Sequence, residues 1–263
     1  MELFEAIAIV TGGGRGFGRA FAEAILTKKG KVLITDVNVD ELQQTCEEFQ
    51  SQYGEQNVCW VRQDVTEYDS FSRVFAFARE YFKKYVNVLV NNAGIAGNSF
   101  LDVPESTSWE AVMEIDLIAL VRGTRFAIME FKRTLKGHEG VIVNLGSTAS
   151  LFPTPFAPDY AAAKAGVVGL TRSLYQLQNS YNIRCFCLCP GFAETQMGRQ
   201  AHDAIPEYTN RTGGLMPVKV VVDAFVAAMR DPNNAGRVLR ITKKATMYHD
   251  FQGDKILFPT SKL

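Results

Sequence analysis

The chain has 263 residues, 47% of them hydrophobic and 21% charged, which is ample material for a packed core and excludes a disordered or fibrous chain; at about 150 residues per domain, one large domain is expected. Its 28 Lys and Arg balance 28 Asp and Glu, so no net charge draws it to nucleic acid or to an anionic membrane. No stretch reaches the roughly 18 to 20 apolar residues that span a bilayer, and the first residues lack a basic region followed by an apolar one, so neither a membrane span nor a secretion signal is expected.

Apolar runs alternate with amphipathic ones from the start. Strands are expected at residues 6–10, 31–35, 58–62, 87–90, 140–145, 183–188 and 237–241. Helices are expected at 16–29, 39–53, 68–84, 108–135, 159–180 and 218–230. Short apolar strands separated by helices need crossovers, and right-handed crossovers cover both faces of the sheet. The expectation is an α/β chain: a single Rossmann-type doubly wound domain with a seven-stranded parallel sheet over residues 1–263. Residues 192–217 carry no strong pattern and follow a strand, which makes them a candidate substrate lid. Cys185, Cys187 and Cys189 alternate in an apolar run and share one strand face; this reads as core packing, and no metal site is expected.

The first strand runs into Thr11, Gly12, Gly13, Gly14, Arg15, Gly16, Phe17 and Gly18, and then into a helix. Glycines there let backbone approach a pyrophosphate, whose charge suits the free N–H groups of a helix N-terminus. The spacing is T-G-x-x-x-G-x-G on Gly12, Gly16 and Gly18. Asp36 ends the second strand, where a carboxylate accepts both ribose hydroxyls of an adenosine and repels a 2′-phosphate, so NAD(H) is expected over NADP(H). Arg15 argues the other way, since a guanidinium beside the turn suits that phosphate. Asp64, followed by Val65, either receives the adenine amino group or caps the next helix.

Asn91, Asn92, Ala93 and Gly94 follow the fourth strand, and Ser147 follows the fifth, with Tyr160 and Lys164 further on. On a helix, positions i and i+4 share a face, so Tyr160 and Lys164 point together. An ammonium near a tyrosine favours phenolate and brings the group toward a working value, and Ser147 can polarise the same oxygen.

With these elements, and with Pro190, Gly191 and Thr195 after the sixth strand, the sequence resembles the short-chain dehydrogenase/reductase family over nearly its whole length. Within it, the chain is most similar to the NAD-dependent hydroxyprostaglandin dehydrogenase group. The resemblance implies that Tyr160 is the general acid/base, that Ser147 orients the reacting oxygen, and that Lys164 holds the nicotinamide ribose and lowers the Tyr160 pKa. It also implies that Asn92, Ala93 and Gly94 line the nicotinamide side, with Pro190, Gly191 and Thr195 near the carboxamide or pyrophosphate. Members usually carry Asn where this chain has Asp116, and that Asn helps hold a water that relays protons to the lysine. A carboxylate there favours the charged ammonium and alters the relay.

Around the expected pocket stand Ile95, Phe100, Leu151, Phe152, Phe156, Phe192 and Met197, which suits an apolar or aromatic alcohol or carbonyl compound; some of them equally pack loops on the core. Arg199, His202 and Arg211 on the lid either face a phosphate-bearing carrier such as a CoA thioester or are simply solvated. The chain ends in Ser261, Lys262 and Leu263, the tripeptide read by the peroxisomal import receptor, so a peroxisomal location is expected. With that tail it also resembles the heteromeric plant peroxisomal benzaldehyde synthases of the same family, which form an aromatic aldehyde from a CoA thioester. A catalytically weak partner subunit is the third reading. The apolar faces within residues 112–129 and 167–177 either cover the sheet or form a helical interface, giving a homodimer, a homotetramer or a heteromer with a related subunit.

Overall fold

The computed structural model describes residues 1–97 and 108–251. Phe100 and the tripeptide Ser261, Lys262 and Leu263 lie outside them. The first half is built of β1 (Ile7–Thr11), α1 (Gly16–Thr27), β2 (Lys31–Asp36), α2 (Val39–Tyr53), β3 (Val58–Arg62), α3 (Ser70–Phe82) and β4 (Val88–Asn91). Then come α4 (Ser108–Met113), a π-helical turn (Glu114–Ala119), α5 (Leu120–Thr134), β5 (Gly140–Leu145), α6 (Pro158–Ser173), α7 (Leu177–Tyr181) and β6 (Ile183–Pro190). The chain continues through α8 (Gln196–Ala204), α9 (Pro206–Arg211), α10 (Val218–Arg230), β7 (Val238–Ile241) and β8 (Thr246–Tyr248).

The strands form one sheet in the order β3-β2-β1-β4-β5-β6-β7-β8. Side chains alternate across each strand. Ala8 and Val10, Val32 and Ile34, and Val88 and Val90 enter one core with Phe21, Phe49 and Phe225. Ile9, Leu33 and Leu89 enter the opposite core with Phe71, Phe75 and Phe131. Burial on both faces is why the strands read as continuous apolar runs. Because β1 pairs with β2 on one side and β4 on the other, the crossovers diverge there, and a crevice opens beyond the strand ends where Thr11, Asp36 and Asn91 stand. A buried polar network stiffens the floor beneath it: Asn91 Nδ2 donates to Asn144 Oδ1 at 2.9 Å and Thr124 Oγ1 at 3.0 Å, and Asn144 Nδ2 donates to Thr171 Oγ1 at 3.0 Å.

Four expectations are corrected. The sheet has eight strands, not seven, and β8 is antiparallel to β7; its three residues are largely exposed and carry no apolar run. The helix expected at 108–135 is broken into α4, the π turn and α5, a widening that leaves hydrophobic periodicity intact on either side. The helix expected at 159–180 ends at Ser173 and a short α7 follows. Residues 192–217 contain α8 and α9 and close on themselves through a bridge between Ala193 and Met216. Cys185, Cys187 and Cys189 are buried free thiols on one face of β6.

The far edge of the domain is held by a fully buried arginine. Arg184 on β6 donates to the Ala228 and Met229 carbonyls at the end of α10 (3.0 and 2.8 Å) and to Asn234 Oδ1 (2.8 Å), and pairs with Glu139 at 3.0 Å. Removing Arg184 takes a charged donor from the Ala228 and Met229 carbonyls, from Asn234 Oδ1 and from Glu139, although Asn234 and the N-terminal ammonium still hold some of them. Arg184→Met is therefore expected to lower unfolding stability by about 3 kcal/mol, read as a lower urea midpoint with an unchanged slope.

Candidate active site

The crevice begins with the turn between β1 and α1. Gly12 has φ +63° and Gly16 φ +55°, conformations that favour glycine. A Cβ on Gly18 would stand 2.0 Å from the Gly12 carbonyl oxygen, so only glycine lets α1 begin this close to the turn. The turn is braced from β4. Asn92 Nδ2 donates to the carbonyls of Thr11 (2.8 Å) and Gly12 (3.0 Å), and Thr11 Oγ1 accepts from the amides of Asn92 and Ala93 at 3.0 and 3.1 Å. The Asn92 side chain thus shapes the turn.

Asp36 Oδ2 accepts from the Gly14 amide at 3.2 Å and Oδ1 from the Asn38 amide at 3.1 Å, which fixes a carboxylate beside the turn. Arg15 pairs with Glu41 at 3.1 Å and donates to Gln196 at 2.6 Å. Its charge is engaged by an acid, which weakens its fit to a 2′-phosphate and leaves Asp36 as the group that decides. A dinucleotide fits this cradle: a backbone cleared of Cβ atoms, a helix N-terminus and a fixed carboxylate. Asp64 Oδ1 accepts from the Thr66 amide (2.9 Å) and hydroxyl (2.7 Å), which holds its carboxyl below the usual range. It forms a local turn and caps no helix, because α3 starts after Asp69. Val65 is buried in the core on the α3 side, and the partly buried Phe17 ring stacks on Phe21 at 6.1 Å.

β5 ends at Leu145, and Ser147 caps a short 3-10 turn, its Oγ accepting from the Ala149 amide at 3.1 Å. Tyr160 and Lys164 lie one turn apart on α6, with Lys164 Nζ 5.6 Å from the centre of the Tyr160 ring. Lys164 is 3% exposed and Asp116 fully buried. Nζ stands 3.0 Å from Asp116 Oδ2 and donates to the Leu145 carbonyl at 3.1 Å. Asp116 Oδ1 accepts from the Ile95 amide at 2.8 Å, and Oδ2 lies 3.1 Å from where a Gly94 Cβ would be. The π turn therefore aims a carboxylate at the lysine and at the loop after β4.

The electrostatics differ from the sequence expectation. Burial works against the Lys164 ammonium, but Asp116 beside it, helped by Tyr160 and Cys187, raises the lysine pKa overall. Burial raises the Tyr160 hydroxyl above its usual value; Lys164 and Ser147 act in the opposite direction, while Asp116 and Cys189 reinforce burial. The ammonium has the expected sign, but its counter-ion sits at contact distance and the tyrosine rests as a phenol.

Pro190 ends β6, the Gly191 amide donates to the Ile241 carbonyl at 2.9 Å, and Thr195 Oγ1 caps α8 by accepting from Gly198 N at 3.1 Å. Thr195 also meets the glycine turn, its Cγ2 lying 3.7 Å from a Cβ placed on Gly16. Sequence reasoning missed Tyr208, whose ring meets Phe156 at 4.8 Å and Phe192 at 6.3 Å while its hydroxyl donates to the Pro153 carbonyl. It missed His249 as well, placed 6.0 Å from Phe152 by the unexpected β8. Phe152 and Met197 are exposed, Leu151 packs on the core, and His202 is turned inward onto Thr209 at 2.7 Å. Gly18→Ala is expected to weaken NADH binding more than tenfold, a loss of over about 1.4 kcal/mol, read as lost energy transfer from tryptophan to the bound dinucleotide.

The family described as short chain dehydrogenase matches residues 6–205. The chain is 29% identical to the 15-hydroxyprostaglandin dehydrogenase [NAD(+)] of Homo sapiens over 95% of its length and 96% of that protein. It is 33% identical to the 2-(R)-hydroxypropyl-CoM dehydrogenase of Xanthobacter autotrophicus, over 84% of this chain and 88% of that one. Among solved structures, a short chain dehydrogenase/reductase from Burkholderia phymatum in complex with NAD superposes with a TM-score of 0.79 at 27% identity, covering 92% of this chain and 90% of that one. The 3-ketoacyl-(acyl-carrier-protein) reductase from Brucella melitensis complexed with NADH gives the same TM-score and identity, covering 92% of this chain and 98% of that one. Glycine turn, Asp36 carboxylate and the Ser147, Tyr160 and Lys164 constellation lie within the matched residues, and the chain belongs to the short-chain dehydrogenase/reductase family.

Proposed function

We propose that this NAD(H)-dependent oxidoreductase interconverts an apolar or aromatic alcohol and the corresponding carbonyl compound. The observation that carries the reading is the convergence of Ser147, Tyr160 and Lys164 beyond the end of β5, beside a glycine turn built for a dinucleotide. When bound, the dinucleotide supplies or takes up the hydride. Gly12, Gly16, Gly18 and Asp36 hold it; Tyr160 gives a proton to the substrate oxygen or removes one from it, Ser147 hydrogen-bonds the same oxygen, and Lys164 sets the charge behind both. The aromatic rings of Phe156, Phe192 and Tyr208, with Phe152 and Met197 exposed beside them, support an apolar substrate. The exposed Trp109, Ile118 and Met129 on α4, the π turn and α5 support an interface with a second copy or a related subunit. The terminal Ser261, Lys262 and Leu263 support a peroxisomal location.

The test is NADH absorbance with the purified protein and a panel of aromatic and aliphatic carbonyls and CoA thioesters, alongside alcohols with NAD. Carbonyl and alcohol turnover is expected, falling about a thousandfold in Tyr160→Phe; turnover unchanged in that variant would overturn the reading. The resting phenol sets the pH dependence. A carbonyl oxygen meets a donor that is already protonated, whereas an alcohol needs phenolate, whose fraction grows tenfold per pH unit below its pKa. Oxidation kcat/KM is therefore expected to climb about tenfold per unit from about pH 7 to about pH 9, with reduction nearly flat.

A further inference from the structure

Arg240, on β7, has no part in the mechanism above. β7 runs parallel to β6, and the Gly191 amide bonds the Ile241 carbonyl at 2.9 Å, so both strands end on the crevice side of the sheet. Arg240 is the register partner of Cys189 and shares its sheet face, and Cys189 bears electrostatically on Tyr160. The Arg240 guanidinium carbon lies 5.7 Å from the centre of the Phe152 ring. The Phe152 amide in turn bonds the Thr148 carbonyl at 3.0 Å, within the turn that Ser147 caps. Phe152, 45% exposed, therefore stands between the guanidinium and the turn that carries a reacting group.

The half-buried guanidinium is poorly supplied with acceptors. Its Nε is buried and has no hydrogen-bond partner among the described residues, and Nη2 donates only to the Met247 thioether, at 3.1 Å, a weak acceptor. The arginines that form ion pairs among the described residues are others. His249, 6.0 Å from the Phe152 ring, adds no second charge. Burial, and after it Arg240, hold the imidazole below its usual pKa, with Arg172 adding to them and Asp250 opposing, so it is neutral near pH 7. Phe251 meets His249 at 4.6 Å and carries the exposed Arg172 guanidinium 3.8 Å from its ring centre. The result is an aromatic slot beside one half-buried cation whose donors lack an oxygen acceptor. Such a group is costly until an anion completes it. The guanidinium fork matches the two oxygens of a carboxylate, and a single buried cation suits a monoanion better than a phosphate.

We propose that Arg240 binds a carboxylate at the far end of the substrate, so that the preferred substrates are apolar hydroxy and oxo acids rather than neutral alcohols and ketones. The inference deepens the oxidoreductase reading and rests on it. Phe152 covers the apolar chain between the carboxylate and the reacting carbon, and Arg240 acts on binding and leaves the chemical step alone.

Binding is read first, by calorimetric titration of decanoate and of 1-decanol into the full chain saturated with NADH. The wild type is expected to hold decanoate at least about tenfold more tightly than 1-decanol, Arg240→Met to lose that preference and Arg240→Lys to keep part of it. Inorganic phosphate is expected not to displace decanoate. Turnover is read next, with keto acids of increasing chain length beside the matching methyl ketones. At the best length the acid is expected to exceed the ketone at least about tenfold in kcat/KM, through KM, and Arg240→Met to lose this advantage while its rate on the ketone is unchanged. Because the variant removes a buried donor that lacks an acceptor, its urea midpoint without ligand is expected at or above that of the wild type, which separates lost binding from lost folding. Should Arg240→Met fail to fold, the wild-type preference and its reduction in Arg240→Lys decide the matter. Equal binding of decanoate and 1-decanol, a preference that survives Arg240→Met, displacement by phosphate, or keto acids no better than ketones would overturn the proposal. Arg240-dependent binding of decanoate in a protein that reduces neither series upholds the carboxylate site and defeats the oxidoreductase reading instead.

Discussion

The site depends on one buried ion pair, Lys164 with Asp116. A lysine 3% exposed is stable as an ammonium only with a partner at contact distance, and the carboxylate 3.0 Å away supplies it. Several local features follow from that requirement. The π turn places Asp116 inward between two ordinary helical segments, Gly94 leaves the carboxylate room that a side chain would take, and the Ile95 amide satisfies its second oxygen. The same pair ties α6, the π turn and the loop after β4 into one unit, which is what a proton-transfer site needs from its scaffold. Tyr160 still feels the ammonium, but burial outweighs it and Asp116 adds to burial, so the tyrosine rests as a phenol.

The dinucleotide cradle is built on a different principle, backbone proximity. The turn is held open by glycines and held in place by hydrogen bonds from Thr11 and Asn92, residues at the ends of neighbouring strands. Asp36 is fixed by two backbone amides, so its charge is presented at a defined point beside the turn. Because the cradle and the Lys164 cluster both stand at the same ends of the parallel strands, the register of β1, β4 and β5 sets their separation. Arg15, bridging Glu41 and Gln196, links the cradle to the first helix of the lid.

Most of this arrangement was legible in the sequence where a residue's meaning depends on spacing along one element. Tyr160 and Lys164 share a face because they are four apart, and Gly12, Gly16 and Gly18 read as a phosphate turn because a strand precedes them and a helix follows. Legibility failed where meaning depends on contacts between distant segments. The interruption at Asp116 leaves no trace in periodicity. The strand Thr246–Tyr248 is three residues long, largely exposed and recognisable only through its pairing with β7. Tyr208 joined the aromatic wall because α9 folds back on Phe156 and Phe192, which no local pattern in residues 192–217 announced. The position of Lys164 and the direction of its effect on Tyr160 were legible, but the burial of the Tyr160 hydroxyl that outweighs that effect was not, since it is set by segments distant in the chain.

The measurement that reaches the centre of this account is the pH profile of alcohol oxidation in Asp116→Asn beside the wild type. Without its counter-ion the buried Lys164 loses its charge and no longer favours the Tyr160 phenolate, and the oxidation limb is expected to move to higher pH by about one unit. A limb that stays where the wild type has it would mean that the buried ion pair does not set the proton affinity of Tyr160.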